Sequence, residues 1–92
     1  MFGGRVSAAP DVVTVLFFAA ARDAANTAEL TLDAVPEGYT VEALSKELAA
    51  RFPALGVRLR WVRFAVNGEY VRLEHPVRLG DEVALIPPVA GG

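Results

Sequence analysis

Asn67-Gly68 lies between two runs of strand-forming residues, Trp61–Val66 and Glu69–Leu73, and no other stretch fixes as much of the chain's geometry. Asn and Gly accept the two positive φ angles of a type I′ turn, whose twist matches that of the strands it joins. A two-residue loop also sets the register, so 66 should face 69, 65 face 70, 64 face 71, 63 face 72 and 62 face 73. Side chains alternate between the faces of a strand. Val62, Phe64, Val66, Val71 and Leu73 are therefore expected on the core face. Trp61, Arg63, Ala65, Tyr70, Arg72 and Glu74 are expected on the other, where two large aromatics and two arginines make an unusual surface.

A hairpin cannot stand alone in water and needs further strands or a helix to cover its apolar face. The remaining sequence supplies both. Val12–Phe18 is an almost continuous β-branched and aromatic run, as suits a central strand covered on both faces. Ala19–Ala25 has helix-forming content and meets a stop at Asn26, and Glu29–Leu32 alternates like a half-buried strand. Thr40 is a good N-cap for a helix over Val41–Phe52, with Tyr39 and Leu44 placed as a hydrophobic staple. Val41, Leu44, Leu48 and Phe52 share one stripe of that helix, with Ala49 beside it. Pro53 ends it, and Ala54–Arg60 reads as a connection of unspecified conformation. Gly80-Asp81 turns the chain into a last strand, Glu82–Ile86, with Val83 and Leu85 inward and Ala84 and Ile86 outward. The order is strand, strand, helix, strand, strand, strand. It predicts an α+β fold of the β-grasp kind: a mixed sheet of about five strands with one main helix on one face and the other face open.

The domain should span residues 12–86, preceded by a disordered extension over 1–11 and followed by a flexible tail over 87–92. The tail, Pro87-Pro88-Val89-Ala90-Gly91-Gly92, carries the chemistry. Its prolines prevent the last strand from continuing, since Pro has no N–H to donate to a ladder. Its small residues and two glycines make a thin arm that can thread a groove and deliver a carboxylate. Taken alone, such an end suits a frayed, idle terminus better than a working one.

Other chemistry is scarce. At 92 residues the chain makes one domain, and its net charge of −2 offers no electrostatic case for nucleic acid or an anionic membrane. There is no cysteine, hence no disulfide, thiolate metal site or side-chain sulfur nucleophile. No apolar run reaches the ~20 residues of a membrane span and no signal-peptide core appears, so a cytoplasmic location is expected. His75, the single histidine, precedes Pro76 in a turn and reads as a structural loop residue. Asp81 reads as turn chemistry after Gly80. No metal site is visible.

Several segments together resemble the sulfur-carrier small subunits of molybdopterin synthases. They are Phe17-Phe18-Ala19-Ala20-Ala21-Arg22-Asp23, Ala65-Val66-Asn67-Gly68, His75-Pro76 followed by Gly80-Asp81-Glu82-Val83, and the Pro-Pro-x-x-Gly-Gly end. These subunits belong to the MoaD/ThiS group of β-grasp carriers, which are relatives of ubiquitin. The resemblance runs from about Val12 to Gly92, and the residues before it depart from the usual pattern. It implies that the Gly92 carboxylate is adenylated by an E1-like enzyme using ATP and converted to a thiocarboxylate with sulfur from a donor protein. Sulfur would then pass to cyclic pyranopterin monophosphate inside the large subunit of molybdopterin synthase, which supplies the catalytic side chains. Such a carrier binds no cofactor of its own. Pro87, Pro88, Val89, Ala90 and Gly91 would be the inserted tail, and a thiocarboxylate explains how sulfur is carried without cysteine.

Trp61, Tyr70 and Ile86, with Ala65 and Val89, form the set expected to dock a partner, and Arg22, Arg63 and Arg72 suit acidic partner groups. The same arginines suit plain solvation at least as well. Other readings remain open: a carrier for thiamin thiazole, cysteine or tRNA thiolation, whose members tend to lack the Pro-Pro before the tail; a ubiquitin-like modifier joined to lysines; and a binding module with an inert tail.

Overall fold

The computed structural model describes residues 10–88. The expectations for residues 1–9 and for Val89, Ala90, Gly91 and Gly92 lie outside the described residues.

All five residues of β1 (Val13–Phe17) are buried, because β-branched and aromatic side chains project to both faces of a strand with neighbours on each side. β1 pairs antiparallel with β2 (Glu29–Leu32) and parallel with β5 (Glu82–Ile86). β3 (Arg63–Val66) pairs with β5 and with β4 (Glu69–Val71), both antiparallel, so the sheet order is β2-β1-β5-β3-β4. The fold is the expected ubiquitin-like β-grasp. α1 (Ala19–Ala25) joins β1 to β2 and ends at Asn26 in the left-handed conformation, φ 60°, whose N–H donates to the Arg22 carbonyl.

α2 (Val41–Arg51) lies across one face of the sheet. Thr40 caps it, its hydroxyl accepting from the Ala43 N–H at 3.2 Å. Val41, Leu44 and Leu48 are fully buried against Val13, Val15, Phe17, Val83 and Leu85. Each such side chain contributes about 1.5–3 kcal/mol of transfer free energy before entropy is counted. Phe52 adds an edge-to-face contact with Phe17, ring centroids 5.7 Å apart. The Tyr39 ring joins this core, and its hydroxyl donates to Glu47 Oε1.

The segment after Phe52 is more regular than anticipated. Pro53 starts α3 (Pro53–Gly56), as Pro suits the first helical position, where no N–H is needed. A Cβ at Gly56 would stand 3.1 Å from the Ala49 Cβ, so glycine permits α3 to lie against α2. A 3₁₀ turn, Leu59–Trp61, leads into β3.

The hairpin has the expected register at 66/69, 65/70 and 64/71, and Asn67 and Gly68 both have positive φ. The pairing goes no further, which corrects the placement of four residues. Trp61 belongs to the 3₁₀ turn and not to β3, and Arg72, Leu73 and Glu74 lie beyond β4. Leu73 is 46% exposed, not part of the core face. The cause is a competing demand from α2, whose first N–H groups have no partner within the helix. The Leu73 carbonyl accepts from Glu42 N–H at 3.0 Å and the His75 carbonyl from Val41 N–H at 2.9 Å. The chain leaves the sheet edge to make these bonds, and in the structure His75 acts through its backbone.

Candidate functional site

The C-terminal arm leaves the sheet from β5, its central strand, so the arm is anchored by a strand paired on both sides. Ile86 is the last strand residue and Pro87-Pro88 follow. Two surfaces flank this exit.

The first is the sheet face that α2 does not cover. Leu16, Ala84 and Ala65 lie side by side across β1, β5 and β3, all buried, with Ile86 packed partly buried against them. The two alanines rise little above the sheet, so their row forms a shallow floor. Tyr70, paired with Ala65 across β3 and β4, bounds it and is 53% exposed. Arg63, opposite Ile86, places its guanidinium 4.2 Å from the centre of the Tyr70 ring, a cation–π contact that holds both side chains over the sheet. Arg63, Tyr70 and Ile86 are thus brought together beside the tail.

Phe18, 39% exposed, belongs to the same face and was missed from sequence. The signal was available: Thr14, Leu16 and Phe18 share one parity on β1, and Phe18 is still extended (φ −116°) as it caps α1.

The second surface lies on the helix side. The 3₁₀ turn carries Trp61 off the sheet face to line a cleft of about 200 Å³ with Ala20, Ala21, Arg58, Val62, Pro87 and Pro88. Ala21 and Val62 belong to or pack on the main core, which places the cleft on the α2 side of the sheet. Arg22 lies in α1 and is exposed, not gathered with Tyr70. Arg72 is also apart, facing Glu74 at 3.8 Å with both side chains in solvent. Such an exposed pair adds little. Among the described residues no cluster of three or more His, Asp or Glu could hold a metal, and no helix is long and apolar enough to cross a membrane.

The fold and the exit together define a ubiquitin-like β-grasp domain whose last described residues, Pro87 and Pro88, leave the central strand with apolar residues on both sides. The ThiS family model matches residues 15–92, and the chain belongs to that family. It is 40% identical over 82 residues to the molybdopterin synthase sulfur carrier subunit of Chlamydomonas reinhardtii, covering 87% of this chain and 98% of that one. It is likewise 40% identical over 83 residues to the subunit of the same name from Escherichia coli, covering 88% and 100%. Among solved structures, SAMP1 from Haloferax volcanii superposes with a TM-score of 0.78 at 29% identity, over 88% of this chain and 99% of that one.

Proposed function

We propose that the protein is the sulfur carrier subunit of molybdopterin synthase. The observation that carries this reading is the arm itself. Pro87-Pro88 leave the central strand between two apolar surfaces, and the sequence continues to Gly91-Gly92 in a chain whose relatives carry that name along nearly their whole length. The Gly92 carboxylate attacks the α-phosphate of ATP on an activating enzyme, releasing pyrophosphate. The terminal sulfur of a donor protein's persulfide then displaces AMP to form an acyl disulfide. A second thiol cleaves its S–S bond, becoming disulfide-bonded to the donor and leaving on Gly92 a thiocarboxylate, ionised at neutral pH and nucleophilic as a thiolate is. Inside the large subunit the tail donates this sulfur to cyclic pyranopterin monophosphate. The domain contributes rigidity and docking, and the acid–base groups belong to the partner.

The test is calorimetry with the large subunit of molybdopterin synthase from the same source, alongside a variant lacking residues 87–92. Tight binding that requires the tail is expected. Absence of binding by the intact chain sinks the assignment to this synthase. A mass gain of one oxygen-to-sulfur exchange on Gly92, after incubation with the activating enzyme, ATP and a sulfur donor, checks the chemistry separately.

A second reading has its own support, since a structural neighbour from Haloferax volcanii is a small archaeal modifier protein. If this chain is a modifier, Gly92 is found joined to lysine ε-amines in cell extracts, and a pure carrier gives no such conjugates.

A further inference from the structure

The cleft on the helix side has no place in the sulfur chemistry, yet it shares Pro87 and Pro88 with the tail. At about 200 Å³ it falls below the roughly 300–1,000 Å³ of small-molecule sites. Its walls are mostly carbon, from Ala20, Ala21, Val62, both prolines and the indole of Trp61, which is 63% exposed. A space of this size and lining suits one apolar side chain. An exposed tryptophan with arginines beside it is also the composition in which binding energy concentrates at protein interfaces.

Charge says what accompanies that side chain. Arg58 lines the cleft, and the Arg60 guanidinium lies 5.6 Å from the centre of the Trp61 ring. Arg51 and Arg72 face Glu47 and Glu74, but among the described residues neither Arg58 nor Arg60 has an acidic partner. Two guanidinium groups without an acidic partner among the described residues, Arg58 lining the cleft and Arg60 against the ring of the cleft's Trp61, select carboxylates, which Arg engages through two parallel hydrogen bonds.

We infer that this cleft receives a single apolar side chain from an acidic segment of the protein that takes up the tail, with Arg58 and Arg60 pairing to that segment's carboxylates. The inference rests on the carrier reading, because Pro87-Pro88 form one wall of the cleft and a protein that encloses the arm must pass over it. Contact here, on the side opposite the Tyr70 face, means that the partner grips the domain on both sides of the exit. The arm is then aimed as well as held.

Calorimetric titration against the large subunit from the same source tests this, using the native chain, Arg58→Glu/Arg60→Glu, Ala20→Phe and the variant lacking residues 87–92. The double charge reversal should weaken binding about tenfold or more near ~50 mM salt, with the deficit shrinking as salt rises. Ala20→Phe fills the cleft without changing charge, and should weaken binding to a similar degree at every salt concentration. If the tail deletion abolishes binding while both other variants bind within about twofold of native, well inside the ~1.4 kcal/mol of a tenfold change, the cleft inference falls and the carrier reading stands. If the native chain does not bind, both fall. Should either variant lower the melting temperature, Arg58→Gln/Arg60→Gln, which removes charge without reversing it, decides by the same criterion.

Discussion

Asn67 pairs with Glu82 as though it were one more residue of β3: its backbone N–H donates to the Glu82 carbonyl at 2.8 Å, and its side-chain oxygen accepts from the Glu82 N–H at 2.9 Å. The side chain thus replaces the backbone carbonyl that the turn has rotated away. Its Nδ2 donates to Asp81 Oδ1 at 3.0 Å, and Asp81 Oδ2 accepts from the Arg78 N–H, so one asparagine ties the hairpin turn to the turn before β5. Asn67→Gly keeps a residue at ease with positive φ and removes only the side-chain bonds. It should cost about 1–2 kcal/mol, read as a drop in melting temperature of roughly 5–15 °C for a domain of this size. A change under about 0.5 kcal/mol, typical of indifferent surface sites, contradicts this role.

Tyr39 makes stability fall on the alkaline side. Burial raises its pKa above the ordinary 10.0, and the hydrogen bond to Glu47 and that carboxylate's charge raise it further, with Arg51 opposing. The unfolded chain therefore loses the phenolic proton at lower pH than the folded chain. The stability contributed by the neutral phenol is whole below pH 10 and declines as pH rises from 10 toward the folded value. Tyr39→Phe should lower stability by about 1 kcal/mol near neutral pH and flatten this alkaline decline. Urea denaturation at neutral pH and across the alkaline range measures both, and an unchanged alkaline slope in the variant contradicts the account.

Local signals made most of the fold legible. The Asn67-Gly68 turn, the Thr40 cap, the α2 stripe and the parity of β5 each rest on neighbours in sequence, and each is found where expected. The failures have a common physical form, in which a distant demand overrides local alternation. Strand pattern continues through Arg72 and Leu73, but the open N-terminus of α2 draws their backbone away. Trp61 fits a strand by propensity, but the chain is still turning out of α3 when it reaches that residue. The candidate site divides the same way. Arg63, Tyr70 and Ile86 converge because strand parity and hairpin register place them. The cleft that joins Trp61, Arg58 and Pro88 depends on where α1 and the 3₁₀ turn meet in space, which no periodicity encodes.

Tyr70→Ala separates docking from stability. The ring is half exposed, and its contact with Arg63 contributes about 0.5–1 kcal/mol at such a site, so folding should be little affected. A half-exposed tyrosine that anchors a docking face typically costs about 1–3 kcal/mol of binding when truncated, a weakening of roughly ten- to a hundredfold. Calorimetry against the large subunit reads this directly. Affinity within about twofold of native assigns the partner to another face.

Gly91→Val isolates the arm from the domain. The substitution lies five residues past the last strand residue, Ile86, so the melting temperature should not move by more than a degree or two, since a shift of about 4–8 °C corresponds to 1 kcal/mol in a domain of this size. Valine adds a branched side chain and excludes positive φ, and both obstruct passage of the terminus through a narrow channel. Removing Gly92 acts differently: the carboxylate stays but sits about 3.3–3.6 Å short, as large as the ~3–3.5 Å separation that reacting atoms must reach. Sulfur transfer measured with the activating enzyme and the large subunit should therefore fall by orders of magnitude in both variants, with binding of the folded domain weakened far less by the single deletion than by removal of residues 87–92. A Gly91→Val protein that carries and donates sulfur at the native rate requires a channel wider than the thin arm suggests, and the two glycines then need another explanation.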